Sequence, residues 1–324
     1  MVTLAQGMVT LAQVQEARTR IAPYVRHTDT VKSHSLSQRL GTNVYLKLEL
    51  FQKTGSFKSR SAFSKMLHLD DAERARGVVA VSGGNFAQGV AYAGSALGVH
   101  TKIVMPVYTP QNYVEATRGY GAQVELAPTM QSAFELAEEY SNSGLIFMHP
   151  YDDPDVIAGN GSIGLEVIEA VPQVTDVIVS VGGGGLMSGV SAALREVSPH
   201  VRLWTVETEG ADALARSLVA QQSVRIQATS LARTLGAPYI AAEAICIAQS
   251  QPERHIVVSD REAYVAQRYL LERTKILTEL ATSCNLAAAE KLQGTFAPDD
   301  HLVIVLCGGN VSLDELALYK RMFE

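Results

Sequence analysis

Basic tracts are missing from this sequence, as are long apolar runs and any patterned set of cysteines. Lys and Arg number 27 against 33 Asp and Glu, a net charge of −6. An acidic chain with no Lys/Arg cluster is poorly suited to a nucleic-acid backbone, so nucleic acid is set aside as a partner. No apolar stretch is long enough for a membrane span. The N-terminus lacks the basic-then-apolar pattern of a secretory signal, and Met8 reads as a candidate start because nothing before it looks structural. Three cysteines, Cys246, Cys284 and Cys307, are spaced for neither a metal motif nor a disulfide framework. A reducing compartment follows, with cytoplasm as the default. Internal repeats and low-complexity linkers are also absent.

What is present is enough apolar sequence, 47% of 324 residues, for one large or two modest cores. The rhythm is strand, helix, strand, helix. Asn43–Leu50 alternates like a half-buried strand, and Lys58–Leu67 reads as a helix capped by Thr54 or Ser56. Strands over 77–81, 101–105, 123–126 and 145–148 alternate with helices over 86–97, 110–120 and 131–140. A second series has strands at 176–181, 202–207, within 251–258 and at 301–307. Its helices fall at 161–170, up to 197, 261–273 and 279–292. The repeated unit predicts parallel sheets with helices on both faces.

Glycine is plentiful, 25 residues, and clustered. Residues 180–186, SVGGGGL, set four glycines between an apolar strand and a helix. With no side chains to screen them, N–H groups at a helix N-terminus make an anion cradle, phosphate above all. A tight turn is the plainer reading, but a turn needs one or two glycines. A phosphate-binding nucleotide loop would need a following Gly-Lys-Ser/Thr, and a dinucleotide fold the G-x-G-x-x-G spacing; neither is here. Residues 81–89, VSGGNFAQG, repeat the strand-to-helix placement, with Ser82 and Asn85 either ligand-facing or ordinary caps. In LCGGNV, 306–311, Cys307 is either a weak S–H donor or a small buried side chain. Lys58, in KTGSFKSR, would start a helix near these loops. Burial and the positive helix end lower the pKa of an amine there, and an uncharged amine forms a Schiff base with an aldehyde. Pyridoxal phosphate, an aldehyde with a phosphate, needs such a lysine, a phosphate nest and a partner for its pyridine nitrogen.

With KTGSFKSR, SGGNFAQG, HPYDDPDVIAGNGSIGLEV, VGGGGLMSG and CGGN in this order, the chain resembles the fold-type II pyridoxal-phosphate enzymes of the serine/threonine dehydratase and serine racemase family, over about 21–310. The resemblance implies an α/β fold like the β subunit of tryptophan synthase: two open parallel-sheet domains with pyridoxal 5′-phosphate between them. Residues 1–50 and 149–324 would form the large cofactor-binding domain and 51–148 the small mobile substrate domain. It also implies roles. Lys58 would hold the cofactor and act as general base, with Phe57 walling the ring and Asn85 bonding the ring hydroxyl. Gly182, Gly183, Gly184 and Gly185 would bind the phosphate, and Cys307 would face the pyridine nitrogen, where many relatives have serine. Ser82, Gly83, Gly84, Asn85 and Phe86 would hold the substrate carboxylate. The implied reaction is α,β-elimination from a β-hydroxy-α-amino acid such as threonine or serine, giving a 2-keto acid and ammonia. A homodimer is the implied assembly, with a small amino acid as the other partner.

The chain departs from the family in several places. Racemases carry a serine where Gly83 stands, so racemisation is expected to be weak. Phe86 replaces a frequent histidine and Tyr151 lies in HPYDDP, which together suggest an aromatic pocket and keep 3-phenylserine open as substrate. SLARTLG, 230–236, stands for the usual Ala-Asp-Gly-Val, and Arg233 there keeps 3-hydroxyaspartate open. Relatives bind a divalent cation; Glu207 and the carbonyl of Ala211 are available here for Mg2+, but the last carboxylate position is Ala213. Glu279 matches a family glutamate, although Leu280 replaces the proline after it. Lys53, Arg60 and Lys65 read as solvated charges and His149 as structural. β-Replacement, racemisation and a non-catalytic metabolite-binding protein are the alternatives. Only 312–324 follow the core, so no separate C-terminal regulatory domain is expected from this sequence.

Overall fold

The computed structural model describes residues 7–324; the reading of the stretch before Met8 falls, but for Gly7, outside the described residues. Among the described residues, ten strands form two sheets. They are β1 (Thr30–Lys32), β2 (Asn43–Lys47), β3 (Val78–Val81), β4 (Thr101–Pro106), β5 (Gln123–Ala127), β6 (Ile146–Phe147), β7 (Asp176–Ser180), β8 (Arg202–Thr208), β9 (His255–Val258) and β10 (His301–Val305). The four-stranded sheet has the order β5-β4-β3-β6, parallel throughout. The six-stranded sheet has the order β1-β2-β10-β7-β8-β9. It is not wholly parallel, as the sequence had suggested: β1 pairs antiparallel with β2, Thr30 opposite Lys47. The connection between them, Ser33–Thr42, is shorter than a parallel crossover requires. A three-residue edge strand leaves too little alternation to read from sequence.

The central strands β3 (VVAV) and β7 (DVIVS) are buried at every position, as sheets covered by helices on both faces demand. Helix Pro154–Ala170 begins well before the expected residue 161. Asp153 caps it, accepting from the N–H groups of Asp155 and Val156, and Pro154 sits at its first turn. The short helices His34–Leu40, Asp71–Arg76, Ala213–Ala220 and Ala242–Gln249 carry too few turns for a periodic signal.

Helix Lys58–His68 matches the expected span, but Thr54 and Ser56 do not cap it. Its N-cap is Phe57, with no side-chain hydrogen bond. Thr54 instead takes φ +61° in a preceding turn, and Ser56 bridges to Gly308. The helix is wedged between two others. A Cβ on Gly89 would lie 2.9 Å from the Lys58 carbonyl oxygen, and one on Gly159 would lie 2.8 Å from that of Arg60. Arg60 is not a solvated charge. It is 1% exposed, bonded to Glu49 (2.8 Å) and Glu166 (2.6 Å), and Lys47 bonds to the same Glu166. Lys65 pairs with Asp153 and Asp155, and Lys53 lies over the Tyr92 ring.

Candidate active site

Three loops leave the C-terminal ends of β3, β7 and β10, and each is one of the glycine runs. The loop after β7 is Val181–Gly184, ahead of helix Gly185–Val197. That helix has no side-chain cap, and among the described residues nothing accepts from the N–H groups of residues 182–185. Glycine is required here for space. A Cβ on Gly183 would lie 2.1 Å from the Tyr151 ring, and one on Gly184, at φ +97°, would lie 2.3 Å from the Ala244 side chain. The loop is therefore a set of unsatisfied donors at a helix N-terminus, which favours an anion.

Lys58 is part-buried. Its Nζ donates to the Pro150 carbonyl at 2.9 Å and lies 5.1 Å from the Phe57 ring and 5.4 Å from the Phe86 ring. Burial drives its pKa down to about 8, against Cys307 and Glu279, which pull it up. At pH 7 such an amine is neutral in about one molecule in ten, far more than an exposed lysine.

Cys307, at the end of β10, is 4% exposed. Its sulfur lies 3.2 Å from Ser180 Oγ and 3.1 Å from Thr282 Oγ1. Burial, then Glu279, raises the thiol to about 11, so it stays neutral at physiological pH. The Phe57 N–H donates to the Cys307 carbonyl, tying the lysine segment to this loop.

Asn85 begins helix Asn85–Leu97, again with no side-chain cap. Its Nδ2 donates to Glu279 Oε1 at 2.8 Å, and its Oδ1 accepts from Asn310 Nδ2 at 2.7 Å. Ser82 Oγ accepts from the Gly84 N–H; the N–H groups of Gly83, Asn85 and Phe86 meet no acceptor among the described residues. The Phe86 ring is 2% exposed and packs in the core with Phe63, Met66 and Val90. Position 86 thus offers its backbone N–H to the loop, while its ring, packed in the core, also borders the Lys58 amine at 5.4 Å. Tyr151 packs edge-on against His149 and Tyr239. His149 Nδ1 accepts from the N–H groups of Tyr151 and Asp152, and burial lowers its pKa to about 4, a structural arrangement.

Position 83 has no hydroxyl, yet one stands beside it: a Cβ on Gly83 would lie 2.7 Å from Thr109 Oγ1. On the other side, a Cβ on Gly84 would lie 3.3 Å from the Thr234 methyl. Arg233 is exposed. Thr109, Ser180, Thr282 and Asn310 were not singled out from sequence. Asn310 alone carried a signal, closing the CGGN run.

The donor set fits pyridoxal phosphate: a buried amine of lowered pKa, an unsatisfied N–H cradle and a neutral thiol converge on one place. Mg2+ does not fit. Glu207 is fully buried, with Oε1 accepting from the Leu214 N–H and Oε2 from the Ala215 N–H, and His255 Nε2 is 3.0 Å from Oε2. The N-terminus of helix Ala213–Ala220 and an imidazole take up the carboxylate. Asp212 pairs with Arg216, and no group of three His, Cys, Asp or Glu is placed to hold a metal among the described residues. The Glu207 and Ala211 expectation is corrected accordingly.

The family model for pyridoxal-phosphate-dependent enzymes matches residues 21–308. The L-threonine ammonia-lyase of Thermotoga maritima is 38% identical over 310 residues, 95% of this chain and 77% of the relative. The catabolic L-threonine dehydratase of Staphylococcus aureus is 37% identical over 320 residues, 96% and 91%. Among solved structures, maize serine racemase superposes with a TM-score of 0.91 at 31% identity, covering 98% of both chains. A threonine deaminase, from T.th., gives 0.88 at 35%, covering 94% and 99%. A match over this length means that the chain belongs to the pyridoxal-phosphate-dependent enzyme family.

Proposed function

We propose that this protein is a pyridoxal-phosphate-dependent ammonia-lyase that converts a β-hydroxy-α-amino acid, threonine or serine, to a 2-keto acid and ammonia. The observation that carries the reading is the part-buried Lys58 amine, at a pKa of about 8, beside two loops of unsatisfied N–H donors, 182–185 and 83–86, and the neutral Cys307 thiol. The threonine specificity of the two relatives supports the substrate class. When bound, the cofactor supplies an electron sink for the charge left at the substrate α-carbon.

The N–H groups of Gly182, Gly183, Gly184 and Gly185 would hold the phosphate. Phe57 would pack beside the ring, and the Cys307 thiol would face its nitrogen. A neutral S–H donor would leave that nitrogen without a full positive charge, which suits elimination over broader carbanion chemistry. Asn85 would donate to the ring hydroxyl through the second hydrogen of Nδ2. Of the segment Ser82–Phe86, the free N–H groups of Gly83, Asn85 and Phe86 would hold the substrate carboxylate, where the positive end of helix Asn85–Leu97 favours it. Neutral Lys58 takes the α-proton; the electron pair of that C–H bond becomes the Cα=Cβ bond as the β C–O bond breaks, and the protonated Lys58 returns its proton to the departing hydroxyl, which leaves as water. The released unsaturated amine then hydrolyses to the keto acid and ammonia. We assign 51–148 to a smaller domain that closes over the substrate and excludes water, against 1–50 and 149–324. The buried thiols Cys284 and Cys307 suit a cytoplasmic setting, and we take the working unit to be a homodimer.

The test is keto-acid release by the cofactor-loaded protein from both enantiomers of serine and threonine, with 3-phenylserine and 3-hydroxyaspartate beside them. Release from threonine or serine, lost by at least about a thousandfold in Lys58→Ala, is the expected result. Cofactor binding without release from any substrate would move β-replacement to first place.

A further inference from the structure

Asn85 and Asn310 come from the two different sheets. Asn85 opens the helix after β3; Asn310 follows β10. Between them runs a connected set of hydrogen bonds. Asn310 Nδ2 donates to Asn85 Oδ1 (2.7 Å) and to the Thr54 carbonyl (2.8 Å). Asn85 Nδ2 donates to Glu279 Oε1 (2.8 Å). With Oδ1 occupied by a donor, the Asn85 amide can face one way only. One Nδ2 hydrogen goes to Glu279, and the other is left for whatever lies beside Lys58.

The set fits without slack. Gly55, at φ +73°, has no room for a side chain, because a Cβ there would lie 2.5 Å from Asn310 Oδ1. At Gly308 a Cβ would lie 2.4 Å from Glu279 Oε1 and 3.1 Å from Asn85 Nδ2. One further member closes the set. The Tyr113 hydroxyl donates to the Asn310 carbonyl, and no other donor reaches that oxygen among the described residues. Tyr113 is 5% exposed and lies on helix Gln111–Gly119, between β4 and β5 of the four-stranded sheet. Asn310 is thus gripped from the four-stranded side at two points, its carbonyl by Tyr113 and its amide by Asn85.

We propose that Tyr113 is a positioning residue for the reaction: by fixing the Asn310 carbonyl it holds Asn310 against Asn85, and so aims the free Nδ2 hydrogen of Asn85 at the ring hydroxyl of the bound cofactor. The proposal rests on the functional reading above. Tyr113 itself touches neither cofactor nor substrate. Its hydroxyl sets whether the amide that touches the cofactor keeps one orientation, and it does so across the gap between the sheets.

The test uses Tyr113→Phe, which keeps the ring and removes the bond. Three quantities are read: affinity for pyridoxal phosphate, the absorption spectrum of the bound cofactor against pH, and kcat and KM for threonine. Loss of one buried hydrogen bond predicts about a tenfold weaker cofactor affinity and a similar fall in kcat, with KM nearly unchanged. The spectrum should move toward that of Asn85→Ala. In the double variant Tyr113→Phe/Asn85→Ala, the tyrosine change should add little to the asparagine change, because both act through one amide. A Tyr113→Phe protein with a lower melting temperature but unaltered cofactor affinity and spectrum would overturn the proposal, as would losses that multiply in the double variant. Should the unmodified protein bind cofactor yet release no keto acid, the functional reading fails, while affinity and spectrum still decide the role of Tyr113.

Discussion

Glu279 carries a carboxyl that water cannot reach. Burial raises its pKa from 4.5 to about 8, while the Asn85 and Thr234 side chains and the Lys58 charge pull it down. A raised carboxyl binds its proton more tightly folded than unfolded. Its stabilising contribution is complete below pH 4.5 and is lost as pH rises through about 8. Lys58, lowered from 10.5 to about 8, adds stability with the opposite slope, gained as pH rises from about 8 to 10.5. The cofactor-free protein should therefore lose stability from about pH 5 to 8, on the order of 4 kcal/mol from Glu279 at most. Glu279→Gln should remove that slope in urea unfolding at several pH values; an unchanged slope would mean the carboxylate is ionised in the fold. The glycine run was legible in the sequence, because a loop that must lack side chains writes that need into consecutive residues; Lys58, Asn85 and Cys307 were brought to it only by the family resemblance. The Asn85–Glu279 and Asn85–Asn310 bonds join residues 194 and 225 positions apart, and no local pattern encodes such a pairing.

Helix Lys58–His68 owes its position to charge hidden from sequence. Arg60 has no carboxylate at helical spacing, so it looked solvated. Its partners, Glu49 and Glu166, are 11 and 106 residues away. Together with Lys47 they form a buried set of two cations and two anions at the foot of the helix that presents Lys58. Removing one cation leaves a buried negative charge unpaired, which costs about 3–5 kcal/mol. Arg60→Met should destabilise by that amount in denaturant unfolding. It should also weaken cofactor binding, since Lys58 lies less than a helical turn away. A change under about 1 kcal/mol would show that the pair contributes no more than a surface one. The helices expected at 86–97, 110–120 and 279–292 were legible to within a residue or two. The start of helix Pro154–Ala170 was not, because its inner face is buried glycine and small residues, IAGNGSIG, with no polar stripe.

At the scale of the molecule, the two sheets share no strand pairing. The chain crosses from one to the other near residues 51–57 and again near 148–153. Helix Lys58–His68 is packed on both sides, against helix Asn85–Leu97 through Gly89 and against helix Pro154–Ala170 through Gly159. Beyond that helix, the bonds between the halves gather at the site: Asn85 to Glu279, Asn310 to Asn85, and Tyr113 to Asn310. A body held by a few polar bonds beside a ligand opens locally at low cost and closes when the ligand adds to them. Closure on substrate should thus involve the smaller domain, 51–148, moving toward the larger, with β7 and β10 unmoved. Amide hydrogen exchange on the cofactor-loaded protein, with and without L-alanine, which has no β-leaving group, reads this directly. Protection should rise in 82–86, 107–113 and 308–312 by about tenfold or more, while β7 and β10 exchange at unchanged rates. Protection spread evenly over both sheets would instead mean general stiffening, and none at 107–113 would mean that the four-stranded half stays fixed as substrate binds.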